Sequence, residues 1–360
     1  MLLKLSSTTR SSRKLLAGAL RVYASHLAPG SRFPSENALV SELKVARMTL
    51  RRAMDDLVAE GVLCRKWGSG TFVAYNDPDT IYFVLPTPGS RKGELRHFAM
   101  MRFYDAFIRY AREKGLKVAK LIASQTNRCD EMDWEVFQFL PNGAKVILPG
   151  YWYYELFELL KAKKCKVVFV SFSFTYSFLY RDVIGDWFHL EYDLSAAAAL
   201  GVEKLRQLGA KNILLMDDDL VCTSPFQRGF KAAMGEDFRQ ELVIYGSGGR
   251  HELVYNTVLY FLKSGDIYSF DAVLAANVGV ARKALAACRN QNVKKPLIIL
   301  DEGSGAGAEA GEFSSIVYDH DKVAKTVLDK ITAEEWQSGF ESIEPGFREA
   351  VSTAGFQIDN

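Results

Sequence analysis

The stretch from Arg32 to Ala74, RFPSENALVSELKVARMTLRRAMDDLVAEGVLCRKWGSGTFVA, limits the possible folds of this 360-residue chain more than any other part. Pro34-Ser35-Glu36 supplies a turn and an N-cap, after which Ala38, Leu39 and Leu43 fall on one helical face. A second helix is expected to begin at Ala46. Its residues Leu50, Ala53, Met54, Leu57 and Val58 recur at helical spacing, which leaves Arg47, Thr49, Arg51 and Arg52 at a solvent-facing N-terminal end. After Gly61, Val62-Leu63-Cys64-Arg65-Lys66 and Thr71-Phe72-Val73 read as two strands around Trp67-Gly68-Ser69-Gly70, a turn whose glycines permit positive φ and close approach to phosphates. Two short helices followed by a basic hairpin make a winged helix-turn-helix.

Three motifs then appear in order: Pro34-Ser35-Glu36, Arg47-Met48-Thr49-Leu50-Arg51, and Glu60-Gly61-Val62 running on to Gly68-Ser69-Gly70-Thr71-Phe72-Val73. Over roughly residues 10 to 75 the chain thereby resembles the GntR-type bacterial transcription regulators. The resemblance implies binding to double-stranded DNA. Arg47, Thr49 and Arg51 are expected to enter the major groove, while Ser35, Arg52 and the wing residues Lys66, Trp67, Gly68 and Gly70 hold the backbone. Asn37 belongs to the same surface. It stands where the family usually carries a basic residue, and Met48 stands where a small polar one is common, so operator sequence does not carry over from relatives.

The charge distribution agrees with that division of labour. Residues 1–75 hold 12 Lys+Arg against 5 Asp+Glu, whereas the remainder holds 33 against 38, so a chain with an overall charge of +2 concentrates its basic character in the motif-bearing part. Its length predicts two or three domains. No apolar run reaches a membrane span and no export signal is read at the N-terminus, so a cytoplasmic protein without membrane contact is expected. Cys64, Cys129, Cys165, Cys222 and Cys288 are odd in number and far apart, which fits buried thiols better than disulfides or metal ligands.

From Thr80 onward, apolar strand-like runs at 81–85, 118–122, 145–148, 166–172, 212–216, 241–245, 272–276 and 297–300 alternate with amphipathic segments such as 96–114, 194–208 and 322–330. Such alternation predicts parallel sheets covered on both faces. Eight strands divide better into two doubly wound lobes than into one sheet, because 182–193 reads as a long irregular crossing. Ligands in such folds sit at the carboxyl ends of strands.

Within this region, FHLEYDLSAAAALGVEKLRQLGAKNILLMDDD, then Phe226-Gln227-Arg228-Gly229-Phe230-Lys231-Ala232-Ala233, then Asp271-Ala272-Val273-Leu274-Ala275-Ala276-Asn277, resemble successive motifs of the LacI/GalR-type effector domain. With the winged helix, the whole chain resembles the arabinose-repressor-like regulators. The resemblance implies an α/β fold: a winged helix-turn-helix over 1–75, a linker at 76–80, and at 81–360 a two-lobed, periplasmic-binding-protein-like type I domain that binds effector and dimerises. Two departures fall where effector would bind. Phe226 replaces the family's arginine, and Val278 replaces the aspartate of its Asn-Asp pair. Asp193, Arg228, Asn277 and Asp301 are the polar effector candidates, with Tyr151, Trp152, Phe172, Trp187 and Phe226 as aromatic ones. Each has a competing structural reading, because strand-end polar residues cap helices and aromatics fill cores.

Two further features are set aside. Gly305-Ala306-Gly307-Ala308-Glu309-Ala310 fits a dinucleotide-binding pattern but lacks a complete βαβ unit after it. Asp217-Asp218-Asp219 could offer oxygen ligands to a cation, but adjacent side chains on a strand point alternately, which favours a solvated loop. No cofactor, metal or catalytic constellation is expected. The reading is a regulator, a repressor by preference, that acts as a homodimer on an inverted repeat and responds to a small molecule, a saccharide by preference. The alternatives are a second domain that only dimerises, and an enzyme fused to a DNA reader.

Overall fold

The computed structural model describes residues 12–27, 30–66, 68–74, 79–85, 95–123, 134, 137, 140–171, 181–217, 224–246, 251–264, 266–301 and 311–358. Helices α1 (Arg13–Ser25), α2 (Glu36–Leu43) and α3 (Arg47–Ala59) precede an antiparallel hairpin of β1 (Leu63–Lys66) and β2 (Gly70–Val73). Ser12 caps α1, a helix that the sequence reading did not delineate. Leu16 and Leu20 of α1 are fully buried with Phe33, Leu39, Leu50 and Leu57, so α1 closes a core that α2, α3 and the wing alone would leave open. The second helix starts one residue later than expected, with Ala46 as its N-cap.

The chain continues as β3 (Ile81–Leu85), α4 (Leu95–Glu113), β4 (Val118–Ile122), β5 (Lys145–Pro149), a 3-10 turn (Tyr151–Leu156), α5 (Phe157–Ala162), β6 (Lys166–Ser171), α6 (Arg181–Ile184) and β7 (Phe188–Tyr192). It goes on through α7 (Leu194–Gln207), β8 (Ile213–Asp217), α8 (Pro225–Met234), β9 (Val243–Tyr245), α9 (His251–Ser264), β10 (Ala272–Ala275), α10 (Val278–Asn290) and β11 (Leu297–Asp301). The last elements are β12 (Ser314–Val317), α11 (His320–Thr332), β13 (Gly339–Ile343) and β14 (Gly346–Arg348). Among the described residues these strands form two six-stranded sheets, ordered β13-β7-β6-β5-β3-β4 and β14-β12-β11-β10-β8-β9. The chain divides into two compact units, residues 1–89, 114–148 and 152–167 in one and 90–113, 149–151 and 168–360 in the other.

In the first unit β3 runs parallel to both β4 and β5, and all five of its residues are buried. In the second, β7 runs parallel to β6 and β13, and the sheet from β9 to β12 is parallel with β14 added antiparallel. Both faces of this second sheet are covered, which explains why residues 213–216, 272–275 and 297–300 are apolar and buried at every position, without alternation.

The expected irregular crossing at 182–193 is corrected: it contains α6 and the central strand β7. His189 and Glu191 break its apolar run, yet both find places inside, His189 Nε2 meeting the Ile184 carbonyl oxygen at 2.9 Å. Strand β12 was also missed, because Ser314 and Ser315 look like loop residues. They are fully buried, with the Ser314 hydroxyl bonded to Ala350 and Thr353 and that of Ser315 to the Phe313 carbonyl. Residues 241 and 242, assigned to the sixth strand, instead belong to a 3-10 turn (Gln240–Leu242) before β9. The chain passes between the sheets three times: after β7, after β12 and after β13.

Candidate functional site

The first candidate site is the exposed end of the head. Ser35 accepts a hydrogen bond from the Ala38 amide at 3.2 Å and so fixes the start of α2. On the next turn of chain, Asn37 accepts from the Arg47 guanidinium, which ties the first residue of α3 to α2. Arg47, Arg51 and Arg52 are exposed and Thr49 is half-buried, while Leu50, Ala53, Met54 and Leu57 on the other side of α3 are buried. The N-cap Ala46 has no side chain to bond the first amides of α3. Those amides therefore remain available to an anion at the positive end of the helix dipole.

Gly68 and Gly70 carry φ of +72° and +115°, left-handed values that let the wing turn tightly; both are exposed. The Arg32 guanidinium lies 3.5 Å from the place a Cβ on Gly70 would take, so the wing keeps a cation close to bare backbone. Lys66 ends β1, whereas Trp67 lies outside the described residues. Arg65 pairs with Asp55 at 2.6 Å and Glu36 at 3.3 Å, and Arg13 and Arg21 pair with Asp56 and Glu60. Four acidic residues of the head, Glu36, Asp55, Asp56 and Glu60, are thus paired with arginines other than Arg47, Arg51 and Arg52. Among the described residues the exposed end keeps a net positive field.

The second candidate site is the carboxyl edge of the sheet around β8 to β12. In register, Tyr245 of β9 faces Asp217 of β8, Ala275 of β10 pairs with Met216 and Ile299, and Asp301 of β11 faces Val317. Asn277 follows β10 at that edge. It is 2% exposed and caps α10, its Oδ1 accepting from the Val280 amide at 3.0 Å. Asp301 is buried at the end of β11 and meets Arg348 Nη2 at 3.4 Å. Phe226 is buried in the first turn of α8, and Arg228 two positions on is exposed.

Asp193 lies where the chain first passes between the sheets. Its Oδ1 accepts from the Ala196 amide at 2.8 Å, capping α7, and its own carbonyl accepts from Tyr318 Oη at 2.8 Å. Its amide donates to the Ile343 carbonyl at 3.2 Å. One residue therefore joins all three passages. Beside it Tyr192 Oη meets His320 Nδ1 at 3.1 Å, and the Tyr192 and Tyr318 rings stack edge to face at 4.8 Å. Burial, helped by Arg102, pushes the His320 pKa down to about 4 against the pull of Asp301, Asp319 and Asp321, so the imidazole is neutral at pH 7. Sequence reasoning missed His320, Tyr192 and Tyr318, which carry no local motif.

The aromatic candidates fare differently. Trp187 is 2% exposed and packs on Phe169 with ring centroids 6.1 Å apart, which leaves it no open face. Tyr151 and Trp152 begin the 3-10 turn after β5, and Phe172 lies outside the described residues together with Phe174, Tyr176 and the glycine-rich 305–310 segment. Of the three adjacent aspartates only Asp217 is described. It is a buried strand residue rather than part of a solvated loop. Burial pushes the Cys165 and Cys288 thiols up to about 11, values that keep them protonated and unreactive at neutral pH. Among the described residues no group of His, Cys, Asp and Glu could hold a metal, and no helix is long and apolar enough to cross a membrane.

Residues 21–73 match the family described as bacterial regulatory proteins, gntR family. The head is a GntR-type helix-turn-helix. Over 75 residues it is 40% identical to a probable fructoselysine utilization operon transcriptional repressor of Escherichia coli K12, a match covering 19% of this chain and 31% of that repressor. It is 50% identical over 46 residues to an arabinose metabolism transcriptional repressor of Halalkalibacterium halodurans, covering 13% of this chain and 12% of that protein. The chain thus spans about a third or less of the length of these two relatives.

Solved structures extend the likeness beyond the head. A LacI-family transcriptional regulator from Enterococcus faecium with bound ribose superposes with a TM-score of 0.53 at 15% identity, covering 76% of this chain and 98% of that one. A complex of the transcriptional regulator CelR with cellobiose gives 0.56 at 14% identity, covering 89% of this chain and all of that one. At these identities the likeness establishes the fold: parallel α/β sheets of the LacI-like, periplasmic-binding-protein-like kind behind a GntR-type head.

Proposed function

We propose that this protein is a transcription regulator that represses its target by binding an inverted-repeat operator as a homodimer, and that a neutral saccharide held by the LacI-like region sets its operator affinity. The observation that carries the reading is the uncapped end of α3, with Arg47, Arg51 and Arg52 exposed around it and Glu36, Asp55, Asp56 and Glu60 of the head paired with Arg65, Arg13 and Arg21. On this reading Arg47, Thr49 and Arg51 reach base edges, and Ser35, Asn37, Arg52, Lys66, Trp67, Gly68 and Gly70 line the backbone path. A single head reads only a few base pairs, so two half-sites about one helical turn apart or slightly more supply specificity.

Domain limits of 1–75 for the head, 76–80 for the linker and 81–360 for the regulatory region fit this division. A cytoplasmic location and the lack of catalytic activity belong to the same proposal. Saccharide binding is supported by the bound ribose and cellobiose of the structural relatives. Effector can act only through a difference in affinity between two arrangements of the regulatory region. Asp193, which joins the three passages between the sheets, is placed to respond to such a change.

A second reading, that the region only dimerises, is favoured by the internal engagement of Asp193, Asn277 and Asp301. Footprinting on DNA selected from random sequence, with and without a panel of neutral sugars, separates the two. Protection of an inverted repeat that a sugar weakens supports the first; protection indifferent to every sugar supports the second. No protected repeat in either condition removes both.

A further inference from the structure

At the carboxyl edge of β8 and β9 the structure holds a chain of polar groups that is complete at one end and open at the other. Asp217, 3% exposed, accepts the Ser224 hydroxyl at 2.7 Å. Ser224 in turn accepts the Gln227 amide N–H at 3.1 Å and so caps the ten-residue helix α8. The Gln227 side chain donates through Nε2 to Tyr245 Oη at 2.8 Å, bridging from α8 to the end of β9. Its Oε1 is buried without a hydrogen-bond partner, and the residue as a whole is only 6% exposed. A buried amide with an unmade bond is destabilising, and a donor from outside the chain would relieve that cost.

We infer that Gln227, with Asp217, Ser224 and Tyr245, forms a subsite that receives a hydroxyl group of a neutral, polyhydroxylated ligand. The inference rests on the saccharide reading above and specifies which part of the chain grips the sugar. A hydroxyl suits the site because it donates to the amide oxygen and, should the amide turn over, accepts from its nitrogen. An anion does not. The negative charge that the N-terminus of α8 favours is already supplied by the protein, Asp217 acting through Ser224, so a phosphate or carboxylate would meet a buried carboxylate and an amide oxygen. Gln227 faces the strand ends next to Phe226, the residue that stands in for the family's arginine.

The test compares the full-length protein with Gln227→Met, which keeps the volume and removes the unmade bond, in thermal unfolding and calorimetric titration with D-ribose, D-glucose, cellobiose and glucose 6-phosphate. In the parent at least one neutral sugar binds and glucose 6-phosphate binds more weakly. In Gln227→Met the unliganded protein melts about 2–4 °C higher, and affinity for that sugar falls roughly tenfold or more. If the sugar binds the variant as tightly as the parent, the subsite is wrong while the saccharide reading survives. If no neutral sugar binds the parent, both fail, and tighter binding of glucose 6-phosphate overturns the neutral class. Should Gln227→Met not fold, Tyr245→Phe removes only the hydroxyl that holds the amide. An unchanged sugar affinity in that variant then also overturns the subsite.

Discussion

The head and the sheet edge handle their polar residues in opposite ways. In the head Arg47, Arg51 and Arg52 project outward from a helix whose other side is packed, while their acidic neighbours are drawn into pairs elsewhere. At the sheet edge Asn277, Asp301 and Asp217 are buried, and each is bonded to its own chain. Polar groups left in water are free to meet a macromolecule, whereas polar groups withdrawn from water must first be satisfied internally. Function in the head is therefore an exposed surface. At the sheet edge it has to reside in whatever the internal bonding leaves open, or in movement of the bonded groups.

The largest effect that would sharpen this contrast comes from close packing. A Cβ on Gly229 of α8 would stand 2.3 Å from the Ser195 carbonyl oxygen on α7, so Gly229→Ala should destabilise the sheet region by roughly 3 kcal/mol, read by denaturant unfolding. DNA binding by the head should fall far less; a parallel loss would mean that the two regions are not energetically separate. Arg47→Ala should cost about 1–3 kcal/mol on cognate DNA with no change in melting temperature. Equal affinity of variant and parent on selected and random DNA would place the reading surface elsewhere.

A pH dependence is expected next, from His320. Its native pKa of about 4 lies below the ordinary histidine value, so the unfolded chain binds a proton between roughly pH 6.5 and pH 4 that the folded chain refuses. Stability should be fully present above that window and decline as pH falls through it, by about 1–2 kcal/mol from pH 7 to pH 5. His320→Gln should flatten that slope. A variant with the same pH profile as the parent would show that the imidazole does not govern these contacts. The smallest effect concerns Asn277. As an N-cap it should contribute about 1 kcal/mol to stability, so Asn277→Ala should lower the melting temperature slightly. Loss of sugar binding without any stability change would instead make it a ligand group and erase the contrast with the head.

How much could be read in advance follows the same division. The start of α2 at Ser35, the buried side of α3 and the glycine wing were legible because cap, helical period and turn chemistry act over a few residues. Strands β3, β8, β10 and β11 were legible to within one residue at either end, since buried parallel strands demand continuous apolar runs. Strand β7 and strand β12 were not. His189 and Glu191 interrupt the apolar run of β7, and Ser314 of β12 is tolerated inside because Ala350 and Thr353, distant in sequence, reach its hydroxyl in the folded chain.

By itself the sequence determined that a basic head precedes an α/β region, and which side chains of the head face outward, because the periods of helix and strand are local properties of the backbone. It could not determine whether Asp193 and Asn277 cap helices or await a ligand, since both roles place a polar residue at a strand end. Nor could it pair Tyr192 with His320, or leave Gln227 with a bond unmade beside Tyr245. Those outcomes depend on which strands become neighbours, and strand order is set by long-range packing rather than by any local pattern.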